Sequence, residues 1–127
     1  MKQISLYYFL LFAIGISCNE IVFVEDISDE EVSVLAPLDQ TEVNSGAIIF
    51  SWETAKHIET YQLQLATPSF EHANQILLDT IITTRSFTKS LGANTYEWRL
   101  RGVNSQYETN YRTQRFVVTE IDDLDNL

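Results

Sequence analysis

Leu91-Gly92-Ala93-Asn94-Thr95-Tyr96-Glu97-Trp98-Arg99-Leu100-Arg101-Gly102-Val103-Asn104 opens on a turn and then alternates. Tyr96, Trp98 and Leu100 fall on one side by period two, and Glu97, Arg99 and Arg101 on the other. Such a strand buries one face and wets the other. Gly92 and Asn94 supply the turn before it.

The same signature recurs on either side. Val32 to Ala36 reads as a first strand, ended by Pro37. Asp39 to Gly46 is polar and reads as a connection, with Asn44-Ser45-Gly46 as its turn. Ala47 to Trp52 is a second strand, with Ile48, Phe50 and Trp52 on one face. Glu53 to Glu59 forms a loop. Tyr61, Leu63 and Leu65 alternate with Gln62 and Gln64, giving a half-buried third strand ended by Pro68. Ile76 to Thr84 is rich in β-branched residues and reads as a fourth strand, with a bend or bulge near Asp79. Ser86 to Thr88 is a short fifth and Thr95 to Val103 the sixth. The seventh runs from Tyr111 to Val118, with Phe116 and Val118 inward. The best helical candidate, Phe70 to Leu77, lacks an apolar stripe of useful width. Seven short strands without a crossover helix predict an all-β, antiparallel sandwich.

Charge divides the chain. The net charge is −10, which argues against a nucleic-acid partner, since that needs a basic stripe for phosphates. Residues 19–31 carry six acids and no Lys or Arg, and the end after Thr119 carries four more. Residues 32–119 hold eight acids and seven bases, a nearly balanced centre. This distribution predicts a folded domain over 32–119, an acidic tether over 18–31 and an acidic tail over 120–127. A single cysteine leaves no intrachain disulfide and no cysteine zinc cluster.

Residues 32–119 resemble a fibronectin type III domain, an immunoglobulin-like sandwich. Ala36-Pro37 at the end of the first strand, Trp52 closing the second and Tyr61 opening the third carry the resemblance, together with the 91–104 stretch. In that family a leucine, a tight turn and a tyrosine mark the corner before the sixth strand. Leu91 and Tyr96 match it, with one residue fewer between them than is usual. The resemblance implies two stacked sheets with Trp52 and Trp98 in the core. Each ring would bury about 150–250 Å², several kcal/mol at roughly 25 cal/mol per Å². It implies little about function, because this sandwich hosts many roles.

The N-terminus has its own signature. Lys2 is followed by an almost wholly apolar run from Ile4 to Ile16, a signal-peptide core too short to span a bilayer as a helix. A retained anchor extended through Ile21-Val22-Phe23-Val24 is the alternative, and it carries Glu20 near the membrane. Ile14-Gly15-Ile16-Ser17-Cys18 resembles the lipobox of bacterial secreted lipoproteins, with Gly15 where leucine is usual. That resemblance implies cleavage of residues 1–17 and diacylglycerol attachment at Cys18. Two acyl chains suffice for stable anchoring. The location implied is the bacterial cell envelope, at the outer membrane, with the membrane as a partner through the lipid.

No nucleophile elbow, P-loop, dinucleotide fingerprint or zinc-protease motif is present. No cofactor is expected and no metal site. His72 beside Glu71 and Asp79 among apolar residues are the only titratable groups worth following; a solvated loop and an outward edge position explain them more simply. Two surfaces could bind a protein or a glycan. One is the wet face carrying Gln62, Gln64, Glu97, Arg99, Arg101, Tyr111, Thr113 and Arg115, for which a cross-strand charge ladder is the plainer account. The other is the loop pair 53–60 and 104–110, presenting Lys56, His57 and Tyr107 at one end, for which an ordinary polar loop is the plainer account. The expectation is a non-catalytic envelope protein whose single domain is a binding or spacer module. The rivals are a structural accessory subunit of a larger envelope complex, and an enzyme with an unrecognised site.

Overall fold

The computed structural model describes Gly15 and residues 23–121. Alternation becomes eight strands: β1 (Ser33–Ala36), β2 (Thr41–Asn44), β3 (Gly46–Glu53), β4 (Thr60–Thr67), β5 (Gln75–Ile82), β6 (Ser86–Leu91), β7 (Asn94–Val103) and β8 (Arg112–Thr119). They form a three-stranded sheet, β1-β3-β6, facing a five-stranded sheet, β2-β8-β7-β4-β5. The described residues contain no helix. The all-β sandwich therefore stands, with eight strands in place of seven.

The additional strand is β2, inside the segment read as a polar connection. It pairs parallel to β8, from Thr41 opposite Phe116 to Asn44 opposite Thr119, so the sandwich is not wholly antiparallel. A four-residue strand with Val43 as its only apolar residue is too short to display a period. The chain starts in one sheet as β1, turns at Pro37 and continues in the other as β2. β5 carries the expected bulge: Leu65 faces Leu78 and Ala66 faces Ile76, leaving Leu77 as the extra residue.

The two inner faces meet in one aromatic-rich core. Trp52, Trp98, Phe50, Phe116, Leu63, Leu65 and Leu100 are fully buried. Phe50 sets its edge against Trp98 at 5.2 Å and Phe116 at 5.9 Å, and Tyr96 stacks on Phe116 at 5.6 Å. Both edge-on and offset contacts suit the ring quadrupoles. Gly102, inward on β7, has no room for a side chain: a Cβ there would lie 2.6 Å from Ile58.

Two hydrogen bonds fix the frame. Trp98 Nε1 donates to the carbonyl of Pro37 at 2.9 Å, inside the core and at the point where the chain changes sheets. Tyr96 Oη donates to the carbonyl of Gly92 at 2.8 Å. The shortened corner thus still closes. Burial pushes the Tyr96 phenol up, which keeps its proton in place for that bond. Trp52 differs: its Nε1 is buried and has no hydrogen-bond partner.

The reading of residues 18–31 as a tether needs correction at its far end. Ile27 is wholly buried, and the Glu25 carbonyl accepts a hydrogen bond from Asn104 Nδ2 at 2.9 Å. Packing therefore begins before Val32. One apolar residue among acids leaves no compositional trace.

Trp98→Phe leaves the Pro37 carbonyl buried and unpaired, at a cost of about 1–3 kcal/mol beyond the smaller ring. Trp52→Phe leaves no such orphan. Urea denaturation of both variants should show the larger loss for Trp98→Phe by that margin; equal losses would count against the Pro37 bond. Tyr96→Phe should lower stability by about 0.5–1.5 kcal/mol with an unchanged denaturant slope.

Candidate functional site

The outer face of the five-stranded sheet gathers most of the residues singled out in the sequence. Register sets them in rows. Ile81, Gln62 and Arg101 lie side by side; Asp79, Gln64, Arg99 and Thr113 form the next row; Ala66, Glu97 and Arg115 the next. Neighbours across the rows then engage one another. Arg99 Nε donates to Gln64 Oε1 at 2.6 Å, and Arg101 Nε to Gln62 Oε1 at 2.8 Å. Gln62 Nε2 donates to Asp79 Oδ1 at 3.1 Å. Arg101 pairs with Glu108 and Arg115 with Glu97, each at 3.0 Å.

Aromatic rings complete the set. The Arg99 guanidinium lies 4.1 Å from the Phe70 ring centre and 4.4 Å from that of Tyr111. Arg101 lies 4.6 Å from Tyr111. Phe70, Arg99, Tyr111 and Arg101 thus form one linked set of ring–cation contacts. Phe70 is held there by the turn after β4, where its N–H donates to Glu97 Oε1 at 3.0 Å. The sequence gives no sign of this role for Phe70, because its cation is on β7.

Asp79 stands exposed on the edge strand β5. Hydrogen bonding from Gln62, and then Gln64, holds its carboxyl below the usual carboxylate range. Slight desolvation opposes this, and the charges of Arg101 and Arg99 add a smaller lowering. A depressed carboxylate is a stabilised base with little tendency to hold a proton, the opposite of a general acid. His72 lies 3.7 Å from Glu71, both strongly exposed. Among the described residues no three His, Cys, Asp or Glu side chains cluster as metal ligands.

The loop pair does meet at one end of the sandwich, through Asn104. This residue is buried, and its Nδ2 donates to the carbonyls of Glu25 (2.9 Å) and His57 (3.1 Å). Its Oδ1 accepts from the N–H groups of Gln106 (3.1 Å) and Tyr107 (2.8 Å). His57 sits in the left-handed region at φ 67°. Lys56 and His57 are exposed and Tyr107 is half-buried. No hydrogen bond or ion pair joins these three side chains among the described residues. The loops are cross-linked by their backbones, with Asn104 as the hub. Cys18 lies outside the described residues.

No family model and no curated protein matches the sequence. Solved structures do match in shape. One is the fibronectin(III)-like modules of Clostridium thermocellum CbhA, with a TM-score of 0.53 and 7% identity, covering 72% of this chain and all (100%) of that one. The fold is fibronectin type III-like. A human fibronectin type III domain from the KIAA0970 protein aligns at TM-score 0.50 and 11% identity, covering 75% of this chain and 78% of that one. CopC from Methylosinus trichosporium OB3b aligns at 0.50 and 10%, covering 74% and 99%. On this fibronectin type III-like frame the ring–cation contacts lie on the outer face of β7, with Tyr111 reaching them from just before β8 and Phe70 from the turn after β4.

Tyr111→Ala removes the ring shared by Arg99 and Arg101 and should cost about 1–2 kcal/mol, at about 0.5–1 kcal/mol for each exposed contact. Gln62→Ala should raise the Asp79 midpoint, read by carboxyl NMR titration. The sign follows from the lowered native value. Asp79 contributes stability above its unfolded pKa of about 3.9, and the contribution is lost as pH falls through the lower folded value.

Proposed function

We propose that this chain is a non-catalytic, lipid-anchored protein of the bacterial cell envelope, at the outer membrane, whose fibronectin type III-like domain is a binding or spacer module. The observation that carries the module reading is the closed set of contacts on the outer face. Arg99 and Arg101 spend their Nε groups on glutamines and their flat faces on rings. Arg101 and Arg115 are neutralised by Glu108 and Glu97. Side chains committed to each other stiffen a sheet. They offer little to an acidic ligand, and Asp79 as a stabilised carboxylate offers little to acid catalysis. The anchor reading rests on the apolar leader and the lipobox-like run ending at Cys18.

A second reading, a structural accessory subunit of an envelope complex, draws on the other outer face. On β3 and β6, Ala47 faces Ser90, Ile49 faces Thr88 and Ser51 faces Ser86. Ile49 is 59% exposed, and Leu35 on β1 is 49% exposed. A face whose charge is confined to Glu53 at its end, on a chain of charge −10, suits permanent contact better than display to water. Co-purification with a fixed partner, lost in Ile49→Lys, would favour this reading.

Intact-mass analysis of the membrane fraction tests the anchor. The expected species begins at Cys18 and carries the added mass of acyl chains. Cys18→Ser should release the domain from that fraction or leave it unprocessed. An unmodified chain retaining Met1 would end the lipoprotein reading.

A further inference from the structure

The chain enters the sandwich at one end only, and the entry is fixed. β1 starts there, the β3–β4 and β7–β8 loops lie there, and β8 leaves from the opposite end. Asn104 grips the Glu25 carbonyl, and Ile27 is wholly buried two residues later. Phe23 lies two residues before Glu25 and is 91% exposed. It shares a surface hollow with His57, Ile58 and Ser105.

This entry sets the free length of chain. A tether from Cys18 to Val32 would reach about 50 Å when extended, at up to about 3.6 Å per residue. β7, at ten residues, is about 34 Å long at about 3.4 Å per residue. A tether longer than the domain would let the sandwich take any orientation. With the chain fixed from Glu25, the free segment from Cys18 is seven residues, within about 25 Å. A retained anchor extended through Val24 leaves almost no free length before Glu25. Either length is shorter than the domain, so the two ends of the sandwich are no longer equivalent.

We propose that the end bearing Phe23 and the β3–β4 and β7–β8 loops faces the lipid surface, and that the opposite end is what the domain presents to partners. The inference rests on the membrane anchor proposed above. Lys56, His57 and Tyr107 then lie against the headgroup layer and are shielded from large soluble ligands. Glu25, Asp26 and Glu59 are exposed at this end too. An anionic bilayer therefore does not attract it by charge, and the short covalent link sets the distance. Phe23 is the apolar side chain placed to enter the interface.

The test uses the full chain, purified from membranes and reconstituted in vesicles of phosphatidylethanolamine and phosphatidylglycerol with a headgroup-linked acceptor dye. Cys18 is the only native cysteine and is consumed by the anchor, so one introduced cysteine labels cleanly. Ser105→Cys marks the entry end and Ala93→Cys the opposite turn; both positions are exposed. Energy transfer should be several-fold stronger from position 105 than from position 93. Equal transfer, or stronger transfer from 93, in protein that floats with the vesicles would overturn the orientation and leave the anchor standing. Protein that does not float would overturn the anchor and this inference with it.

Discussion

The hydrogen bond from Trp98 Nε1 to the Pro37 carbonyl is the constraint on which the sandwich depends. It joins residues 61 apart in sequence, and it lies in the core. At Pro37 the chain leaves one sheet for the other, and a crossing chain has no ladder partner for its carbonyl. A buried carbonyl left unpaired costs about 1–3 kcal/mol. The indole that fills the centre of the core therefore also satisfies the one backbone group that the crossing exposes to it. Around that indole, Phe50 and Phe116 pack edge to face in sequence, so the position of the first strand and the position of the core are set by one side chain.

What could be read from the sequence follows from strand length. β3, β4, β7 and β8 have eight to ten residues each, long enough for period two to show and for inward positions to be named. β2 has four residues and one valine, and its partner β8 lies some 75 residues away, so neither period nor spacing betrays it. Ile27 fails for a different reason. Its neighbours are acids that face water, and average composition hides one buried side chain. The candidate surfaces divide in the same way. That Arg99, Arg101 and Arg115 share a face follows from alternation. That Phe70 caps Arg99 and Asn104 ties the loops to Glu25 depends on contacts across β4, β7 and the entering segment. Such contacts carry no local signature.

The two outer faces manage exposure by opposite means. On the large sheet, charge is cancelled laterally and the guanidinium faces are covered by rings. On the small sheet, charge is nearly absent and small hydroxyl residues surround Ile49. The strand edges show a related division. β6 turns Lys89 to the side shared with Phe87 and Leu91, β1 is short and ends at Pro37, and β2 is four residues long. Inward charge, proline and shortness all discourage a further strand from adding. β5 has only its bulge and Asp79 for that purpose.

Asp79 shows how the architecture alone can perturb a carboxylate. Its lowered pKa comes first from glutamine amides on β4, and those glutamines are themselves held by arginines on β7. The chain of donors runs across three strands toward the edge and ends on an acid in water. A carboxyl that acts as a general acid at neutral pH needs the reverse: desolvation that raises its pKa, and a reacting atom within reach. Here solvent access is high and every nearby donor stabilises the charged form. Gln62, Gln64, Arg99 and Arg101 are already engaged with one another, and through Gln62 with the edge strand.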